Sequence, residues 1–332
     1  MRIQELLSEA ISVSSYDKPI ELAIKKSILG TLSELTDLYG VYKAAESDFN
    51  DYTASDQEFT KLLTMEYEQH LIVADFASDV KNTINQRIGS VVVEKIYFKK
   101  LKPGVSGQAP GRFIELSRNY LKEIAKLVIE SLVSMTNSNF DHQDHSTGFF
   151  SLCEEAAHGN RYVVETINQS IYETVYKLVD TIIHELTHVL QHYPQLVKGK
   201  QDTEYRSYLD RKKGEFNKLH RSDIGDQRSE RWLNLYYASP QEMAAFAHNA
   251  ALYIIRKYGI HRATDPNIFY NVKPDNIIDG INTIMDKYSM GEYFSNPKTA
   301  KEQQIRNRYI KLVYMEVQKY IKEKLASLQK AV

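Results

Sequence analysis

The chain has 332 residues, with 42 Lys plus Arg against 43 Asp plus Glu and a formal net charge of −1. Nothing in that balance points to a polyanion partner, and the length suits one large or two smaller domains. Cys153 is the single cysteine, which excludes an intrachain disulfide and a cysteine-built metal site. No apolar run approaches the roughly 18 residues of a membrane span, and Met1-Arg2-Ile3-Gln4-Glu5-Leu6-Leu7 lacks the pattern of a secretion signal. A cytoplasmic protein with no nucleic-acid or membrane partner is expected. The oligomeric state is left open.

Residues 18–46 keep helical spacing through Ile20, Ile24, Ile28, Leu32, Leu35 and Leu38. After the polar break Asp48–Ser55, a second helix is expected from Asp56 to about Lys81. Val91–Phe98 reads as a strand, 103–111 is rich in Gly and Pro, and Arg112–Leu116 reads as a second strand, together suggesting a hairpin. A helix is expected from Asn119 to about Met135. The polar loop beyond it carries Asp141-His142-Gln143-Asp144-His145, whose alternating Asp and His could bind a metal, although such a run usually means only a solvated loop when no regular element fixes the geometry. Arg161–Ile167 is β-branched and reads as a short strand.

Asn168-Gln169-Ser170 then reads as a turn, with Ser170 as N-cap and Glu173 completing a capping box. A helix follows from Ile171 to Tyr193, with Pro194 as its expected stop. Val175, Leu178, Val179, Ile182, Leu186, Val189 and Leu190 form its apolar stripe. Within it lies His184-Glu185-Leu186-Thr187-His188. Two histidines four residues apart share one helix face, so both rings can grip a single zinc ion, with a carboxylate between them in the chain. His184 lies about 180° from the middle of the apolar stripe at roughly 100° per residue. A solvated outer face would also account for both rings; the intervening Glu185 and the capped amphipathic helix favour the metal.

The segment Thr181–Gln191 resembles the active-site helix of zincin metallopeptidases, and the resemblance extends from Arg161 to about Tyr258, under a third of the chain. It implies that His184 and His188 bind zinc and that Glu185 is the general base acting on a zinc-bound water. The strand at Arg161–Ile167 would then offer an edge to an extended peptide.

A catalytic zinc needs a third protein ligand. His192 fails on reach, since residues eight apart on a straight helix are separated by about 12 Å along the axis. No glycine turns the chain between His188 and His192, which excludes the metzincin solution. Tyr237-Ala238-Ser239-Pro240-Gln241-Glu242-Met243-Ala244-Ala245 is similar to the second motif of small gluzincins from phages and bacteria, which implies Glu242 as the third ligand. The same residues also make an N-cap, a first-turn proline and a capping box without any metal. Glu204, Glu215 and Glu230 compete for the position. Tyr237, His220 and His248 are candidates to stabilise an oxyanion, and the sequence does not choose among them.

The charged, aromatic segment Tyr205–Phe216 is either a lid or a solvated helix. Further helices are expected at Gln241–Tyr258, from about Asp275 to Tyr288, and from Pro297 onward with Ile305, Tyr309, Leu312 and Val313 on one side. The expected fold is α+β and mostly α. A zincin-like core (89–260) would hold a small antiparallel sheet beside the active-site helix. A helical N-terminal region (1–88) and a C-terminal helical region (261–332) would pack around it. The expected activity is zinc-dependent hydrolysis of a peptide or protein substrate. Its rivals are a non-catalytic, phage-type helical interaction protein with a relic metal site, and a zinc hydrolase of some other amide.

Overall fold

The computed structural model describes residues 13–48, 56–73, 76–89, 91–102, 105–139, 145–197, 240–260, 273–287 and 296–329. The fold is α+β and mostly helical, with a small three-stranded sheet. None of the described helices is long and apolar enough to cross a membrane. The chain divides into two compact units, one spanning Asp17–Ile182 and the other drawn chiefly from Ile183–Val332.

In the first unit, α1 (Val13–Asp48) buries Ile20, Ile24, Ile28, Leu32 and Leu35 completely, the stripe its spacing predicts. The single helix expected beyond it is two, α2 (Asp56–Val73) and α3 (Phe76–Ile88). Tyr67 of α2 is fully buried and donates its hydroxyl to the Ile28 carbonyl at 2.6 Å. Burial pushes the Tyr67 pKa well up, with the Cys153 and Glu34 charges adding to it.

The sheet corrects one expectation. Strands β1 (Lys95–Lys99) and β3 (Phe113–Ser117) run parallel, and the antiparallel partner of β3 is β2 (Gly107–Gln108). The sheet is mixed, with β3 in the middle. The Gly-rich link supplies the reason. It carries a short strand of its own and turns at Gly111, whose φ of 75° suits glycine, so the hairpin is β2–β3. The chain leaving β1 is then long enough to re-enter β3 in the same direction.

Glu115 pins this register from the central strand. Its buried carboxylate accepts from Tyr97 of β1 and Gln108 of β2 and pairs with Lys99. Burial alone would raise its pKa; those three partners lower it on balance. Helix α4 (Asn119–Asn139) packs on α2, and Arg118 at its start meets Glu68 at 2.6 Å.

Helix α5 (His145–Ala157) begins where a loop was expected; Asp141–Asp144 lie outside the described residues. Arg161–Ile167 is the clearest correction. It is not a strand but most of α6 (Arg161–Ser170). Asn160 caps this helix, its side-chain oxygen accepting from the Tyr162 and Val163 amides. Val163, Ile167 and Ile171 are buried four residues apart, so helical spacing overrides the β preference of the individual residues.

Helix α7 (Tyr172–Val197) follows after Ile171 alone. Ser170 is therefore no N-cap: it ends α6 and donates its hydroxyl back to the Ile167 carbonyl at 2.8 Å. Pro194 does not end α7 either, which continues to Val197. The whole predicted stripe from Val175 to Leu190 is buried.

The second unit holds α8 (Pro240–Lys257), α9 (Pro274–Lys287) and α10 (Ala300–Gln329). Met243, Ala247, Ala250, Ile254, Ile281, Ile284, Tyr309, Val313 and Val317 are among the residues of its shared core. Of the four α10 positions expected on one side, Tyr309 and Val313 are fully buried, while Ile305 and Leu312 are partly buried against the same core. The helices α8 and α9 come so close at Gly280 that a Cβ there would overlap Ile254 Cγ1.

Candidate metal centre

His184 and His188 stand one turn apart on α7 and aim Nε2 at each other across 3.2 Å. Glu242 comes from the first turn of α8. Its Oε2 lies 3.3 Å from His184 Nε2 and its Oε1 lies 3.5 Å from His188 Nε2. The third member is thus the glutamate that the Tyr-x-x-Pro-x-Glu phrase implied.

The distances bear on what the cluster can hold. Two neutral imidazole nitrogens and a carboxylate oxygen are all electron-rich, and such atoms do not converge without a proton or a cation among them. Ligands bound at about 2.05 Å in a tetrahedral zinc site are separated by about 3.3 Å. The His184–His188 separation of 3.2 Å matches one edge of that tetrahedron; the 3.3 and 3.5 Å contacts run to different oxygens of Glu242, Oε2 and Oε1, and with one donor atom taken from each residue all three lie within 4.8 Å of one another. His184, His188 and Glu242 therefore form a group close enough to bind one metal ion.

The solvated outer face that would also have accounted for the two histidines is not what the fold shows: His184 is only 9% exposed and Glu185 6%. Helix α8 covers it: besides Glu242, the Phe246 ring meets the His184 ring edge-on, with centroids 4.8 Å apart and planes at 65°. Thr187 is buried too and donates its hydroxyl to the Ile183 carbonyl at 2.9 Å.

Burial sets the electrostatics. It pushes the Glu185 pKa up; the His184 and His188 charges pull it down and that of Glu242 pushes it up again, so the net shift is upward. Burial acts on Glu242 in the same sense, but contact with the two histidines holds its carboxyl well below the usual range. Of the two carboxylates, Glu185 is thus shifted toward holding a proton and Glu242 toward staying ionised.

The other sequence candidates separate cleanly. His248 points away from the cluster, with Nδ1 3.3 Å from Glu316 Oε2 on α10. Tyr237, His220, Glu204, Glu215, Glu230 and the segment Tyr205–Phe216 lie outside the described residues, as does the His192 side chain. Phe246 was not singled out from sequence. The available signal was its place four residues after Glu242, on the same helix face. Comparison with protein-family models, with curated proteins and with solved structures gives no match.

Proposed function

We propose that the protein is a zinc-dependent metallopeptidase whose metal is held by His184, His188 and Glu242. The observation that supports this most is the convergence of His184, His188 and Glu242, whose donor atoms lie within 4.8 Å of one another, with Glu185 beside the first histidine in the chain. Among the described residues three protein donors converge, and three protein ligands is the pattern of catalytic zinc, whereas structural zinc is closed by four. Zinc, when bound, supplies a Lewis acid that acidifies water and polarises a carbonyl oxygen.

The chain's own groups do the rest. His184 and His188 offer Nε2 donors, and Glu242 brings a negative charge that lowers the cost of seating a divalent ion in a buried place. Glu185 is not a member of the donor group. It accepts the proton of the attacking water and returns it to the leaving amine. A peptide or protein is the proposed substrate and the cytoplasm the proposed setting.

The test is Glu185→Gln, which keeps size and hydrogen bonding and removes the base. The variant should retain zinc and lose at least about a hundredfold in turnover on a peptide library. Unchanged turnover would remove Glu185 from the reaction. Bound zinc with no cleavage by the wild type under any condition would favour the non-catalytic reading.

A further inference from the structure

The ring that covers His184 has a consequence for the metal. An imidazole on a helix turns about a broad terminal torsion, and a small rotation swings Nε2 out of line with the other donors. Something must hold each ring where it points. For His184 the Phe246 ring is such a group, on α8, alongside the His188 ring of its own helix, whose centroid lies 4.9 Å away. The Phe246 ring edge meets the imidazole at a centroid distance of 4.8 Å, from the same face of α8 that delivers Glu242 one turn earlier. Glu242 and Phe246 together bracket His184, one at its nitrogen and one at its ring.

Phe246 is itself held from behind. Its carbonyl accepts the hydroxyl of Tyr309 at 3.3 Å, and Tyr309 is fully buried on α10. The α8 backbone is thus tied down one turn after Glu242, at the residue whose side chain touches the histidine.

We propose that Phe246 is a positioning residue for the metal centre: its edge contact fixes the His184 ring so that Nε2 faces His188 Nε2 and Glu242 before any metal arrives. The proposal rests on the metal reading given above. Supporting groups around metal ligands typically change affinity by about 10–100-fold when removed. An aromatic edge against one of three ligands belongs at the lower end of that range.

The experiment measures zinc affinity of the full chain by competition with a chromogenic chelator, for wild type, Phe246→Leu, Phe246→Met and Phe246→Tyr. The temperature is kept well below the unfolding transition of each zinc-free protein. Leucine and methionine fill much of the volume without a ring edge, and should weaken zinc binding about tenfold. Tyrosine restores the edge and should bind within about twofold of wild type. The visible band of the cobalt-substituted protein should weaken or shift for leucine and methionine, but not for tyrosine. A purely structural role would lower thermal stability and leave the affinity and the cobalt band where they are. If leucine does not fold, methionine carries the same comparison. Wild type that binds zinc tightly, with leucine or methionine binding equally well, overturns the proposal. Wild type that binds no zinc overturns the metal centre itself.

Discussion

Glu242 Oε2 stands 3.3 Å from His184 Nε2, although the two residues are far apart in the chain and lie on different helices. A contact of this kind, between a first-turn glutamate of α8 and a histidine in the body of α7, links folding to metal binding. The zinc ion should therefore stabilise the folded chain.

At a free zinc concentration one hundred times the dissociation constant, linkage adds about 2.7 kcal/mol. Chelation should lower the melting temperature by several degrees, and re-addition of zinc should restore it. His184→Ala should abolish that response. Differential scanning calorimetry of the two proteins with and without chelator checks it; an equal zinc response in both would place the ion elsewhere.

A partly buried pair of that unit, His248 with Glu316, makes a pH prediction. Burial alone would raise the Glu316 pKa; contact with His248 and the charge of Lys319 bring it below the ordinary glutamate value on balance. A carboxyl whose folded pKa is depressed binds fewer protons folded than unfolded, so its contribution to stability rises with pH through that window. The contribution is present above the unfolded value and disappears as pH falls through the folded one. Glu316→Gln should be less stable than wild type at pH 7, and the gap should close on acidification below about pH 4. Urea midpoints across pH measure this, and a gap that widens in acid would contradict it.

Gly280 tests the packing beneath the site. In a helix interior, alanine is ordinarily about 1 kcal/mol better than glycine. Here the added methyl would overlap Ile254 Cγ1 and come within 3.1 Å of Cδ1. Overpacking of a β-branched neighbour costs about 1–3 kcal/mol. Gly280→Ala should be destabilising by about 1 kcal/mol, and the loss should shrink or reverse in an Ile254→Ala background. A stabilised single variant would show that α8 and α9 are not in close contact at this point.

The cap of α6 can be tested in the same way. Asn160 accepts from two amides at the helix start, and its own amide group donates to Glu155 at 2.8 Å. Asn160→Ala should cost about 1 kcal/mol and Asn160→Asp much less, since aspartate keeps the accepting oxygen. Equal losses in chemical denaturation would remove the cap from the account.

The sequence made some of this architecture plain and hid the rest for physical reasons. Helix α7 was legible because its apolar stripe has a strong period and the histidine pair fixes which face matters. Glu242 was legible through its helix-start signature, though that signature alone could not tell a ligand from a capping residue. The strand reading of Arg161–Ile167 followed the β-branched residues singly; the burial of Val163, Ile167 and Ile171 shows that their spacing mattered more. The parallel pairing of β1 with β3 depends on how the link 100–112 folds, which local preference does not encode. The burial of His184 and the contact with Phe246 come from α8, which is distant in sequence, so α7 alone did not show what covers the histidine face.

The account depends on one ion held by three side chains. Its most direct measurement is zinc per chain, by elemental mass spectrometry after exhaustive dialysis against trace zinc, for wild type and Glu242→Ala. One zinc per wild-type chain and well under one in the variant is the result predicted. No zinc in the wild type, or one per chain in both, would contradict it.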